Sequence, residues 1–393
     1  MAKQASDKGG AKTATKTAAR QDRAQANGHQ PQETEETQGE QQVNVALLKR
    51  LSEMPGVAGR EERVRALVVE ELRPLVDDIR VDALGNVIAF KKGAGKGKER
   101  RRVMLAAHMD EIGFMVRYID ERGFLNVQPL GGFDPRVLVA QRVLVHTRGG
   151  DTLRGVFTPA SKPIHLLADE KPAAPKLDEF YVDLGLPGER VRELVALGDS
   201  VTMDRTLERV GDNVIAKAMD DRSGVFTMIA ALKQLGAHDV DIYAVATVQE
   251  EVGLRGAITS AFAVKPHVAI ALDTTLAVDT PGMPENGAVT RLGKGVAIKV
   301  FDSSFIPNYK LVQHLRDLAE REAITHQLEV LPRGGTDAGA MQRADTGAAA
   351  ITLSIPSRYV HTVNEMVNLG DLAAAATLLA RYLEDAHTGS YEL

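Results

Sequence analysis

Hydrophobic and polar positions divide the chain into three textures. From Val43 onward the pattern is helical at first: Leu47, Leu48 and Leu51 share one face, and Pro55-Gly56 stops that helix. Val64, Leu67, Val68 and Leu72 predict a second amphipathic helix that ends before Pro74. Val81 to Phe90 reads as a hairpin turning at Gly85-Asn86. Four short, nearly continuous apolar runs then stand out: Val103–Ala107, Ile242–Val248, Val268–Leu272 and Ala349–Ile355. Runs of this kind predict strands covered on both faces, as in α/β sheets. Between them lie helical stretches: Val225, Met228, Ile229, Leu232 and Leu235, then Tyr309 to about Thr325, and a last helix capped by Asp371 and packed through Leu372, Leu379 and Leu383.

The second texture runs from about Val116 to Arg205. Strand-like pieces (Phe124–Val127, Arg142–Thr147, Thr152–Phe157, Tyr181–Leu184, Ser200–Met203) alternate there with Gly, Pro and Asp turns. We expect a small all-β, barrel-like domain at 116–205, inserted into a larger α/β domain made of 43–115 and 206–393. The larger part is predicted to be a mixed central sheet sandwiched by helices. The third texture is residues 1–42, rich in Ala, Gln, Thr, Gly, Lys and Glu and poor in large apolar side chains. Such a segment buries too little apolar surface to offset its ordering entropy, so it is expected to be a disordered, solvated tail.

Composition narrows the function classes. The chain has 393 residues, a formal net charge of -5 and no cysteine. No thiolate chemistry is open to it, and any metal must be held by His, Asp and Glu, which suits zinc, cobalt or manganese. The near-neutral balance argues against a dedicated nucleic-acid binder. No apolar run is long enough to cross a bilayer, and the N-terminus lacks the apolar core of a secretory signal. A cytoplasmic protein is expected.

Candidate chemistry gathers at strand ends. His108, Glu250, Glu251, Asp273 and His361 each fall at or just past the C-terminal end of an apolar strand. In an open α/β sheet those ends share one edge, where ligands bind. Buried carboxylates are costly unless something positive meets them, and no lysine is placed among these. The inventory therefore calls for cations, and two metals sharing one carboxylate would use it economically. Asp110 follows His108 with a spacing that suits a carboxylate orienting a ligating imidazole. Asp220-Asp221 precede a helix; one of the two is a candidate ligand, since a cap needs a single Asp. Successive strand residues point to opposite sides, so Glu250 and Glu251 are expected to divide their labour, one facing a metal and the other a reacting water or substrate.

These residues sit within Ala107-His108-Met109-Asp110-Glu111-Ile112-Gly113-Phe114, Asp220-Asp221-Arg222-Ser223-Gly224, Gln249-Glu250-Glu251-Val252-Gly253-Leu254-Arg255-Gly256-Ala257 and Gly335-Thr336-Asp337. Their order resembles the co-catalytic di-zinc aminopeptidases, and the words themselves resemble peptidase family 42 of the metallopeptidases, the tetrahedral (TET-type) aminopeptidases. The resemblance covers about residues 44 to 388, including the β insertion. It implies two divalent metal ions per subunit: Asp220 bridging both, His108 and Asp273 completing one, Glu251 and His361 the other. It further implies Glu250 as general base, ionised near neutral pH among cations, and Asp110 orienting His108. His361 stands in Val-His-Thr, where relatives often have Ile-His-Ser. The implied reaction is removal of the N-terminal residue from short peptides, and the implied assembly is a homo-oligomer in which dimers, joined through the β domain, build a tetrahedral dodecamer. On that analogy Gly131–Arg136 and the segment around Ser161–His165 are expected at subunit contacts. A related deacylase or dipeptidase, an endoglucanase and a non-catalytic scaffold are the competing readings; with no Trp and 4% aromatics the chain has poor material for a sugar-stacking cleft.

Overall fold

The computed structural model describes residues 43–95, 100–162, 164–166 and 174–393. The expected disordered tail, 1–42, lies outside them, as does part of the segment around Ser161–His165. No helix among the described residues is long and apolar enough to cross a membrane.

The four apolar runs form the middle of a mixed sheet, which has eleven strands among the described residues. Asp241–Thr247, Arg102–His108, Val268–Leu276 and Ala349–Arg358 lie side by side in that order and are all parallel. Antiparallel strands flank them: Val87–Lys91 beside Asp241–Thr247, and Val296–Phe301 and Glu365–Asn368 beside Ala349–Arg358. The α/β sandwich expected from the sequence is the architecture found.

Alternation along each run explains why both faces are covered. Val103, Leu105, Ala107, Ile242, Ala244, Ile270, Leu272, Ile351 and Leu353 point into a large core with the helices Met219–Gln234 and Leu369–Asp385. Their neighbours Met104, Ala106, Val245, Ala269, Ala271 and Ala350 face the other way. That second face is rich in alanine, so the helices Arg255–Val264 and Asp337–Gln342, themselves contributing Ala257, Ala261, Ala338 and Ala340, can approach closely.

A closed barrel of six strands follows the strand of His108. Its strands are Gly113–Ile119, Leu125–Leu130, Gln141–His146, Thr152–Pro159, Phe180–Asp183 and Ser200–Met203. Pairing of Phe114 with Val201 closes it, which removes any free sheet edge. Inward positions are filled by Phe114, Phe157, Phe180, Val143, Val145 and Val182. The first barrel strand starts at Gly113, only five residues after His108, so the barrel is tethered directly to the polar sheet edge.

Four local expectations need correction. The strand before the paired glutamates ends at Thr247, and Glu250-Glu251 lie in the loop beyond it, so strand alternation does not set their directions. The strand of Asp273 continues to Leu276. The helix from Tyr309 stops at Arg321 rather than near Thr325. The last helix starts at Leu369 and is capped by Asn368, whose side chain accepts from Gly370 and Asp371 amides. Asp371 instead turns inward and accepts the amides of Gly293 (2.8 Å) and Gly295 (2.6 Å). Short-range sequence could not separate cap from clamp, because both residues are good acceptors at a helix start.

Replacing Asp371 with Ala leaves two amides without their acceptor. The expected loss is about 1–3 kcal/mol for each amide that stays unpaired and buried, read as a lowered urea midpoint, and it should exceed the roughly 1 kcal/mol of a lost cap in Asn368→Ala.

Candidate metal centre

Register brings the strand ends to one height. Thr247 pairs with His108, and Asp273 pairs with Ser354. Ala271 is level with Ala106, so Asp273, two residues further on, stands level with His108. A cluster of imidazoles and carboxylates closes over this edge.

At its centre is the Asp220 carboxylate. Its Oδ1 lies 3.0 Å from His108 Nε2, and its Oδ2 lies 3.4 Å from His361 Nε2. His361 Nε2 is also 3.4 Å from Glu251 Oε1, a buried atom that makes no hydrogen bond. Glu250 Oε2 is 3.9 Å from His108 Nε2. Two sets of side chains offer ligand atoms within 4.8 Å of one another: His108, Asp220 and Glu251, and His108, Asp221 and Asp273. All five expected ligands, with Glu250 and Asp110, are therefore in one place.

Backbone anchoring explains how they stay there. The Asp110 carbonyl lies 3.0 Å from His108 Nδ1, with its Oδ1 at 3.6 Å, so this residue faces the ring nitrogen turned away from Asp220. The Asp110 carboxylate also accepts the amides of Glu250 (3.0 Å, at Oδ1) and Glu251 (3.1 Å, at Oδ2). One buried carboxylate thus sets both glutamates. Asp221 accepts the His108 amide (3.1 Å) and, as an N-cap would, the Gly224 amide (3.0 Å). The Asp220–Asp221 peptide bond is cis. Both oxygens of Asp221 are committed to backbone, whereas those of Asp220 face the imidazoles.

Several participants escaped the sequence reading. Glu365, buried on a short strand, accepts the amides of Asp220 (3.0 Å) and His361 (2.7 Å). Glu61 accepts the Gln249 amide at 3.2 Å. Glu111 holds the Gly56 amide (3.0 Å) and a buried ion pair with Lys217 (2.7 Å), and the fully buried Arg222 donates to the carbonyls of Met109, Met54 and Gly56. The lysines near the sheet edge are thus engaged with outlying acids: Lys217 with Glu111, and Lys299 with Glu329 at 2.6 Å. Gly131 and Gly132 come from the barrel. A Cβ on Gly131, which has φ +93°, would meet Glu251 Oε2 at 3.1 Å, and one on Gly132 would lie 3.5 Å from His361 Nδ1. The Gly131–Arg136 segment expected at subunit contacts therefore begins against the ligand cluster. Only the doubled Asp220-Asp221 and the Gly131-Gly132 pair carried a local signal; Glu365 and Glu61 carried none.

Electrostatics show an excess of negative charge. Burial, reinforced by neighbouring carboxylates, pushes Asp221, Asp273 and Glu250 well above the usual carboxyl range. Burial likewise raises Glu365 to about 8 and Asp337 to about 6. Asp220 goes the other way: burial opposes its charge, but hydrogen bonds to His108 and His361 outweigh that and hold it below the ordinary value. Burial disfavours a charged His361, yet the carboxylates of Asp220 and Glu251 push it up to about 12. With protein groups alone Glu250 is thus driven towards its neutral form; ionisation near neutrality, as expected above, requires added positive charge. Glu251 Oε1, which lacks a hydrogen bond, and this surplus of carboxylates fit a site for divalent cations, and O/N donors without sulfur suit zinc, cobalt or manganese.

The profile of the family described as M42 glutamyl aminopeptidase matches residues 85–378. The chain belongs to this family. It is similar to the lysyl aminopeptidase of Pyrococcus furiosus, with 38% identity over 352 residues, 87% of this chain and 97% of that protein. Among solved structures it resembles an aminopeptidase of the archaeon Desulfurococcus kamchatkensis, with 42% identity and a TM-score of 0.83, covering 87% of this chain and 94% of that one. It also resembles the TET1 peptidase of Pyrococcus horikoshii, which can assemble into a tetrahedron or a large octahedral shell; identity is 33%, the TM-score 0.76, and coverage 86% and 98%. The two structural similarities of this aminopeptidase extend over 87% and 86% of its chain.

Lys217→Met tests the anchoring of the site. It takes from the buried Glu111 carboxylate the nearer of its two cations, leaving Arg222 at 3.7 Å. The cost should therefore not exceed the roughly 3–5 kcal/mol of a fully broken buried pair. Chemical denaturation measures that loss.

Proposed function

We propose that this aminopeptidase removes the N-terminal residue of short peptides using two divalent cations, zinc or cobalt foremost and manganese as a third choice. Residues His108, Asp220, Glu251, Asp273 and His361 would hold them, with Asp220 shared. The observation that carries this reading is the Asp220 carboxylate, whose two oxygens face two different imidazoles at 3.0 and 3.4 Å. Bound cations would supply the Lewis acidity that polarises a peptide carbonyl and makes a water nucleophilic at neutral pH.

The protein's own contribution begins with Glu250. Its Oε2 stands 3.9 Å from His108 Nε2, and its amide is fixed by Asp110, so the carboxylate is aimed into the cluster without being consumed by a hydrogen bond to a ring nitrogen. In that position Glu250 takes the proton of the attacking water and delivers it to the departing amine. Asp110 is a positioning residue in this scheme, through the amides of Glu250 and Glu251 and through the far nitrogen of His108. Membership in the M42 aminopeptidase family supports exopeptidase action over cleavage within a chain. The similarity to the P. horikoshii peptidase supports a homo-oligomer; dimers joined through the barrel and built into a tetrahedral dodecamer are the form proposed, and a single-chain native mass at micromolar concentration would reject it. The family is described by a glutamyl activity and one relative by a lysyl activity, so the preferred side chain is left to a panel of amino-acid anilides.

Glu250→Gln should retain both metals while turnover of an amino-acid anilide falls by about 10²–10⁴-fold, the range for a lost acid–base group. A wild-type rate in that variant sinks the assignment. His361→Ala should instead lower metal occupancy, read by elemental analysis after dialysis. Equal rates on free and N-acetylated substrates would favour the deacylase alternative.

A further inference from the structure

A second concave site lies away from the carboxylate edge, where the segment between the first two helices meets the barrel. It is a cavity of about 240 Å³. From the α/β side come Arg60, Glu62 and Arg63, at the start of the helix Glu62–Leu72; from the barrel come His146, Arg148 and Asp199.

Its charge is what marks it. Arg60, Arg63 and Arg148 are exposed, and none makes an ion pair among the described residues; their guanidinia make one hydrogen bond there, from Arg60 to the Gly59 carbonyl. Of the two acids at the rim, Asp199 is buried, and its two oxygens accept the amides of Arg148 (3.1 Å) and Ala196 (2.8 Å), which leaves little of it to neutralise a guanidinium. Glu62 is exposed and makes no ion pair among the described residues. His146 reports the local field: burial first, and then the charge of Arg63, push its imidazole down to about 4, so the ring is neutral at pH 7. Its nitrogens rest against hydroxyls, Nε2 at 2.9 Å from Thr202 Oγ1 and Nδ1 at 3.3 Å from Thr152 Oγ1. Three guanidinia line one concavity and neither rim carboxylate pairs with them; the forked donors of a guanidinium suit the oxygens of a phosphate-type anion.

We propose that this cavity binds a phosphate-type oxyanion, either inorganic phosphate or the phosphate group of a small metabolite. The helix start adds its partial positive charge to the guanidinia. The bound anion would join the barrel to the α/β domain, since Arg148 belongs to one and Arg60 and Arg63 to the other. It would also lie beside Gly56, whose amide is held by Glu111, the residue next to Asp110. The cavity is thus connected to the clamp on Glu250 and Glu251 without touching it.

The test is calorimetric titration of the metal-loaded, full-length protein with sodium phosphate, against sodium chloride at matched ionic strength. Saturable binding is expected in the wild type, with affinity at least tenfold weaker in the double variant R63S/R148S and unchanged in the control Arg122→Ser, an exposed arginine elsewhere on the barrel. A parallel titration with glycerol phosphate distinguishes the sources: tighter binding than inorganic phosphate points to a metabolite, weaker binding to the free ion, and either supports the site. Equal affinity in the wild type and R63S/R148S would place the anion at the metal centre instead and overturn the proposal. Absence of saturable binding in the wild type overturns it as well.

Discussion

The Asp220 carboxylate, set between two imidazoles at the sheet edge, is the constraint on which the rest of the site depends. A buried carboxylate keeps its charge only where positive partners outweigh desolvation, and His108 and His361 do so here from opposite sides. Everything around them is arranged to hold that geometry. Asp221 holds the amides of His108 and Gly224, Glu365 holds those of Asp220 and His361, and Asp110 holds those of the two glutamates and faces the far side of His108. The carboxylates nearest the centre remain in excess, which is why cations, rather than further lysines, fit as the missing charge.

Around this core a ring of acids works on backbone amides instead of on ligands. Glu61 holds Gln249, Glu111 holds Gly56, and Asp371 holds Gly293 and Gly295. Such acceptors fix irregular loops that no ladder of backbone bonds can hold. Arg222 does the complementary task for carbonyls, drawing the N-terminal helix segment and the turn after His108 together from a fully buried position. The loop that aims Glu250 is therefore held by a side chain 140 residues away, whereas His361 is held by Glu365, four residues on.

The barrel reaches the imidazole–carboxylate cluster as well as extending from the sheet. It leaves the sheet five residues past His108 and returns Gly131 and Gly132 to the ligand cluster, where side chains larger than hydrogen would press on Glu251 and approach His361. Its other junction with the α/β domain forms the arginine-lined cavity. Movement of barrel against sheet would thus be felt at both places.

Sequence by itself determined the sheet, because continuous apolar runs of strand length can be satisfied only by cover on both faces, and it determined which polar residues end those runs. His108, Asp220, Glu250, Glu251, Asp273 and His361 were legible for that reason and through the order of their motifs. Directions were not. Alternation was the argument for dividing Glu250 from Glu251, yet both lie in a loop and take their aim from Asp110, 140 and 141 residues earlier in the chain. Glu61 and Lys217 were illegible because each acts across a long sequence separation on a backbone group or a single buried charge, and such a partner leaves no local period. Glu365 reaches the His361 amide four residues away, but its bond to the Asp220 amide spans 145 residues and was equally illegible. The same holds for Asp371, which has the local look of a helix cap until the fold brings Gly293 and Gly295 to it. Tertiary structure decided these pairings because hydrogen-bond geometry is a matter of ångströms, and only the packed sheet, helices and barrel bring distant residues that close.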